Sequence, residues 1–245
     1  MVLHDGERID SIGFGNLKLI QNPSEFCYGV DAVLLADFAK LKDGSRAIDL
    51  GTGTGIIPLI LSHKTGAHEI KGVEIQEKSW ERATRNAKLN GLEDRIHFIL
   101  GDVKNFYKES DLEAFDAVLA NPPYTKGEGG IKSCNAARMI ARHESSATLG
   151  DFLKTASLLL KPRGEFFMIH RPTRLVEIFC LCREYQMEPK EVKLVMPYPG
   201  EEPNLILIRC VKGGGIELRF HHPLYIYDGK GGYTQELLNI YERKG

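Results

Sequence analysis

The stretch that most restricts the fold lies between residues 46 and 63. A strand pattern, Arg46-Ala47-Ile48-Asp49-Leu50, runs into Gly51-Thr52-Gly53-Thr54-Gly55 and then directly into an apolar helical pattern. A strand that turns through glycines into a helix is the opening unit of an open α/β sheet, in which ligands sit beyond the carboxyl ends of the strands. Pro58 falls in the first helical turn, where the missing N–H costs nothing. The alternation then continues. Residues 70–75, 96–100, 117–120, 165–169, 191–196 and 205–210 read as further strands, and 77–90, 133–141, 148–160 and 173–185 as helices. In the helix over 77–90, Trp80, Ala83 and Ala87 face inward, while Lys78, Arg82, Arg85 and Lys88 read as its polar face.

The glycine loop suits a nucleoside cofactor without phosphates. A dinucleotide fingerprint would need glycine where Ile56 stands, and a phosphate loop would need a Gly-Lys-Ser/Thr ending. S-adenosylmethionine (SAM) fits instead, with Gly51, Gly53 and Gly55 allowing close backbone approach. Asp49 would sit near its ammonium group, Glu74 would take the ribose hydroxyls and Asp102 the adenine amine, with Ile75 and Val103 on the faces of the ring. Each acid alone also reads as a helix cap or a solvated charge. All three stand at successive strand ends on the ligand edge.

Directly after the apolar run Ala117-Val118-Leu119-Ala120 comes Asn121-Pro122-Pro123-Tyr124. An exocyclic amine or an amide nitrogen has its lone pair delocalised and attacks poorly. Asn121 can accept one N–H through its side-chain oxygen, and the Pro122 carbonyl can accept the other. The nitrogen is thereby drawn towards a tetrahedral shape and aimed at a methyl sulfonium, which is positioning and electrostatic catalysis without a general base. Pro122 and Pro123 hold the loop extended, and Tyr124 offers a face for a planar substrate. The bland alternative is a proline turn after a buried strand.

At 245 residues with 27% charged and 42% hydrophobic side chains, the chain has the composition of one soluble α/β domain. The expected division is an N-terminal hairpin and helix over 1–44, a SAM-binding core over 45–211 and an appended tail, hairpin and helix, over 212–245. No apolar run is long enough to span a membrane and no secretory leader is visible, so a cytoplasmic location is expected. Cys27, Cys134, Cys180, Cys182 and Cys210 form no C-x-x-C pair, so neither a disulfide framework nor a metal site is suggested, and no obligate protein partner is evident. The net charge of −1 excludes a strongly basic nucleic-acid coat but not a local RNA patch.

The glycine loop, Glu74, Asp102 and the Asn-Pro-Pro-Tyr motif together resemble class I SAM-dependent methyltransferases. More closely, the chain resembles the bacterial tRNA(Val) (adenine-37-N6)-methyltransferase family, which modifies the adenine 3′ to the anticodon. The resemblance runs almost end to end. It includes Tyr28-Gly29-Val30-Asp31-Ala32-Val33-Leu34-Leu35, Ala137-Arg138-Met139-Ile140-Ala141-Arg142-His143-Glu144, His170-Arg171-Pro172-Thr173-Arg174-Leu175, Glu202-Pro203-Asn204 and Tyr233-Thr234. It implies a seven-stranded Rossmann-like sheet of order 3-2-1-4-5-7-6, counted from the strand at Arg46, with Tyr28 and Asp31 near the methionine end of the cofactor. It also implies methyl transfer from SAM to adenine N6 in a tRNA substrate.

For the RNA, Lys126, Arg138, Arg142 and His143 give a basic rim beside the motif, and Arg171 and Arg174 follow the fifth strand on the ligand edge. A solvated helix face and a mobile loop are the plain alternative. The motif is shared with protein-glutamine methyltransferases, which usually carry a helical domain ahead of the core. A non-catalytic SAM- or RNA-binding module is the third reading.

Overall fold

The computed structural model describes residues 3–25, 27–124 and 147–242. Strands β1 (Arg8–Ser11) and β2 (Lys18–Gln21) form an antiparallel hairpin and lead into helix α1 (Val30–Phe38). The sheet follows with β3 (Arg46–Leu50), β4 (Glu69–Glu74), β5 (Ile96–Leu100), β6 (Phe115–Ala120), β7 (Leu160–His170), β8 (Met187–Met196) and β9 (Leu205–Lys212). Between the strands run α2 (Ile56–Lys64), α3 (Glu77–Leu89), α4 (Val103–Phe106), α5 (Leu149–Leu159) and α6 (Leu175–Glu184). The strands lie in the order β5-β4-β3-β6-β7-β9-β8. The first five are parallel, and β9 runs antiparallel to both β7 and β8. The reversal follows from chain length: only residues 197–204 separate β8 from β9, too few for a parallel crossover. The helix expected over 133–141 lies outside the described residues.

Period-2 side-chain alternation distributes the core to both faces of the sheet. Ala47 of β3 and Ala117 and Leu119 of β6 pack with α1 and α2, while Ile48, Leu50, Val118 and Ala120 pack with α5 and α6.

The tail departs from the expected hairpin. Its two short strands, β10 (Arg219–Phe220) and β11 (Leu224–Tyr225), do not pair with each other; each pairs in parallel with β8, so the sheet has nine strands. They cover a hydrogen-bonding edge of β8 that would otherwise be open, and Pro223 between them has no N–H to give. Leu224, Ile226 and Leu237, the last on helix α7 (Gln235–Ile240), join the same core as α1 and α2. The tail is built into the sheet and core, beyond the appended hairpin and helix read from its glycines.

Arg82 and Arg85 depart from the expected solvated face of α3. Arg82 Nε donates to Glu7 Oε1 at 2.9 Å and Nη1 to Glu25 Oε2 at 2.8 Å, while Arg85 reaches Glu7 Oε2 through Nη1 at 2.7 Å and Oε1 through Nη2 at 2.7 Å. The Glu7 side chain is 1% exposed, and the Arg85 hydrogen bonds hold its carboxyl far below the usual range. Beside this clamp, Asn86 accepts from Ile20 N at 2.7 Å and donates to Thr54 O at 2.9 Å, tying the hairpin and the glycine loop to α3. Glu7→Ala takes from two mostly buried guanidinium groups the carboxylate they share, leaving Arg82 with Glu25 and Arg85 with Glu81, and is expected to cost about 3 kcal/mol. Because the folded pKa is depressed, this stabilisation is present above the unfolded value of 4.5 and is lost as pH falls below it. Urea melts at pH 7 and pH 3 check both statements: the wild-type advantage over the variant should shrink at the lower pH.

Candidate functional site

The carboxyl ends of β3, β4, β5 and β6 lie side by side because the parallel register leaves each strand opening towards the same edge. Asp49, near the end of β3, is 1% exposed, and neither carboxylate oxygen has a hydrogen-bond partner. Burial, opposed only in part by the nearby Thr52 hydroxyl and reinforced by the Glu74 carboxylate, pushes its pKa up to about 7. A buried carboxylate with no cation facing it is an unmet requirement for one.

The glycine loop is held from below. Gly51 N and Thr52 N both donate to Val73 O at 2.9 Å, and Gly53 N donates to Glu74 Oε2 at 2.9 Å. Gly53 has φ +57°, and a Cβ built on it would meet nothing within 4 Å, so its backbone borders open space. Gly55 serves packing: its φ is +83° and a Cβ would come 2.5 Å from the Phe98 ring. Glu74 also accepts from Gln76 N at 2.8 Å, which fixes its carboxylate. Ile75 beside it is 55% exposed, a large apolar side chain bare at the strand end. Asp102 caps α4 by accepting from Lys104 N at 2.9 Å, and Lys104 Nζ stands 3.4 Å from its other oxygen. Val103 is packed into the core with Phe106, so of the two apolar residues expected to flank a ring only Ile75 is bare.

These features test the fit of SAM on the residues present. The orphaned Asp49 carboxylate suits an ammonium group, the open side of Gly53 suits close contact, and Glu74 with exposed Ile75 suits a ribose and the face of a purine. The donor set fits.

At the end of β6, Asn121, Tyr124 and Asp31 form a closed triangle. Asn121 Nδ2 donates to Asp31 Oδ2 at 3.0 Å, and the Tyr124 hydroxyl lies 2.7 Å from Asn121 Oδ1 and 3.1 Å from Asp31 Oδ2. A phenol has one proton, so it serves one of these acceptors at a time. Burial and the Asp31 carboxylate push the Tyr124 pKa well upward, so the hydroxyl stays protonated and is no base. Asp31 stands ninety residues from Asn121 in the chain, on the first turn of α1. Pro122 is buried and Pro123 exposed.

The Tyr124 ring is not an open face on every side. Arg171 lies over it, 5.6 Å from the ring centroid, and the His170 ring meets it edge-on at 5.2 Å. His170 is 2% exposed, burial lowers its pKa, and its Nδ1 accepts from Arg171 N at 2.8 Å, so it is a neutral wall. Arg174, by contrast, is taken up in an ion pair with Glu177 one turn along α6. Tyr28 precedes Asp31 on the same segment. Lys126, Arg138, Arg142 and His143 lie outside the described residues.

Residue types and spacing along the chain do not disclose three of these features: the Asp31 anchor for Asn121, the His170 wall, and the clamp around Glu7. All three join distant segments. The only signal for the first was the acid in Gly29-Val30-Asp31 ahead of the first sheet strand. Among the described residues no cluster of three or more His, Cys, Asp or Glu side chains could hold a metal, and no helix is long and apolar enough to cross a membrane.

The chain and its fold have parallels among known proteins. Over 241 residues, 95% of this chain and 94% of the relative, the chain is 29% identical to a Porphyromonas gingivalis protein named tRNA1(Val) (adenine(37)-N6)-methyltransferase. A protein of the same name from Aeromonas hydrophila is 25% identical over 213 residues, covering 86% of this chain and 87% of the relative. Among solved structures, a predicted O-methyltransferase of Agrobacterium tumefaciens superposes with a TM-score of 0.71 at 24% identity, over 86% of this chain and 95% of the other. The TYW2 protein of Pyrococcus horikoshii, solved in complex with MeSAdo, superposes with a TM-score of 0.60 at 15% identity, over 86% and 73%. The family described as "Methyltransferase domain" matches residues 41–244, the whole nine-stranded sheet together with the tail built into it, and this chain belongs to that family.

Proposed function

We propose that the protein transfers a methyl group from SAM to the N6 amine of an adenine in tRNA, next to the anticodon of a valine tRNA. The observation that carries this reading is the Asn121–Tyr124–Asp31 triangle at the end of β6, on the same sheet edge as the orphaned Asp49. The end-to-end similarity to proteins named for that reaction supports the choice of substrate.

When bound, SAM supplies an electrophilic methyl on a sulfonium. Asp49 would hold its ammonium, Gly51 and Gly53 its backbone-facing side, Glu74 its ribose, and Ile75 with Asp102 its adenine. Asp31, through Asn121 Nδ2, turns the Asn121 oxygen towards the place where the substrate amine enters. On entry the amine N–H takes that oxygen, and the Tyr124 proton swings to Asp31, 3.1 Å away, so that no acceptor is left bare. The Pro122 carbonyl takes the second amine hydrogen. Both acceptors favour the nitrogen as its lone pair leaves conjugation, and the proton is lost to solvent after transfer. The Tyr124 ring, backed by His170 and Arg171, borders the base, and Arg171 is placed to meet a phosphate. The chain would act as one unit over 1–245, in the cytoplasm.

Nucleoside mass spectrometry of tRNA from cells with and without the gene tests this. Loss of N6-methyladenosine from a valine tRNA is the expected result. Unchanged tRNA, with methyl label from SAM appearing in a protein, would transfer the same site to glutamine.

A further inference from the structure

A second cavity, of about 530 Å³, opens between the β1–β2 hairpin, the segment over 27–30 and the tail. That volume is in the range of small-ligand sites. None of the glycine-loop residues, Glu74 or Asn121 lines it. It nevertheless adjoins the site above, because Tyr28, Gly29 and Val30 form part of its wall and the next residue, Asp31, bonds Asn121.

The cavity has a polar lining that folding leaves incomplete. Gln21 is 6% exposed; its Nε2 donates to Asp10 Oδ2 at 2.8 Å, while its Oε1 is buried without a donor. Arg8 Nε donates to the same Asp10 oxygen at 3.0 Å, so the carboxylate is fixed and the Gln21 amide can face it only with its nitrogen. That unpaired oxygen is itself buried, so it marks a polar interior beneath the cavity wall. Another part of the lining is aromatic. Tyr227 and Tyr233 stack with centroids 5.7 Å apart at 19°, locked by a strand-like bridge between them, and Tyr198 adds a third ring 5.2 Å from Tyr227. These three rings are 38%, 39% and 50% exposed for Tyr198, Tyr227 and Tyr233.

We infer that this cavity takes an unpaired nucleobase of the RNA substrate, stacked on the Tyr227–Tyr233 pair. The inference rests on the RNA reading of the previous subsection and adds a second contact, one that grips a base neighbouring the methylated one. Flat rings suit any base. The third ring, Tyr198, packs against Tyr227 beyond the cavity lining.

The probe is a fluorescently labelled anticodon stem-loop transcript of valine tRNA, titrated by anisotropy in the absence of SAM. Tyr233→Ala and Tyr227→Ala are each expected to raise its Kd about tenfold or more, whereas Tyr233→Phe keeps the ring and should bind as the wild type does. KM for the RNA should rise in parallel, with kcat at saturating RNA and the Kd for SAM unchanged. Thermal melts of all variants identify any that fail to fold, and Tyr233→Phe serves as the folded reference. Wild-type binding and methylation that neither alanine variant disturbs would overturn this inference alone. A wild-type protein that does not bind the stem-loop would overturn the inference and the RNA reading together. A fall in kcat with Kd unchanged would assign the tyrosines to the fold and also overturn it.

Discussion

Asn121→Ala is expected to lower kcat by about 10²- to 10³-fold while leaving the affinity for SAM within a few fold of wild type. The substitution removes the acceptor that favours the reacting amine as its lone pair localises, an interaction made most strongly in the transition state. It does not remove a cofactor-holding group, since Asp49, Glu74 and the glycine loop stand on other strands. It also leaves Asp31 and the Tyr124 hydroxyl facing each other at 3.1 Å, which lets them pair and keeps the loop satisfied, so the fold should survive. Single-turnover methylation alongside calorimetric titration of SAM separates the two quantities. Unchanged turnover would sink the assignment of Asn121 as the amine acceptor; lost SAM affinity would move it to the cofactor site.

The second large effect concerns Asp49, whose burial without a partner is a cost that the folded protein bears until a cation arrives. With its pKa raised from 3.8 to about 7, the folded state binds a proton through a window in which the unfolded chain has lost it. Stability therefore falls as pH rises from about 4 to about 7, by up to roughly 4 kcal/mol, and the full penalty stands above that range. Asp49→Asn removes the charge but buries an amide with unpaired donors, which returns about 1–3 kcal/mol of cost. The net gain of about 1–3 kcal/mol should raise Tm by several degrees at pH 8, and the advantage over wild type should vanish near pH 4. The same substitution should weaken SAM about a hundredfold, because the ammonium group loses its buried counter-charge. In the wild type, SAM affinity should fall towards acid below about pH 7, where Asp49 must shed its proton to bind. Melts of the ligand-free protein across pH test the first part without any cofactor; a wild type and variant that track each other from pH 4 to pH 8 would refute it.

The two predictions share a physical pattern. Asp49 and Asn121 both sit where a parallel strand ends, and local rules about capping and propensity fail to explain either residue. Asp102 shows the contrast. It satisfies a helix N-terminus through Lys104 N, so a plain structural role accounts for much of its geometry. Asp49 has no such role, which makes it the stronger of the two as a cofactor group. Positions where folding leaves a polar group unsatisfied are where function is to be sought.

Much of this protein is determined by sequence alone. Period-2 and helical patterns place the strands from Arg46 onward and the helices between them, since each must hide one face or both from water. The glycine loop ending at Ile56 in place of a glycine excludes a dinucleotide, and Asn121-Pro122-Pro123-Tyr124 names its chemistry, because backbone freedom and side-chain type act locally. Tertiary structure alone decided the rest. Asp31 anchors Asn121, Glu7 is clamped by Arg82 and Arg85, and β10 and β11 complete the edge of β8 where a free hairpin was expected. The Tyr227–Tyr233 pair shares one cavity with Gln21, which comes from the opposite end of the chain. The reason is the same each time. These contacts join residues far apart in the chain, and their energy comes from burial and paired charge that exist only once the sheet has brought distant segments to one edge.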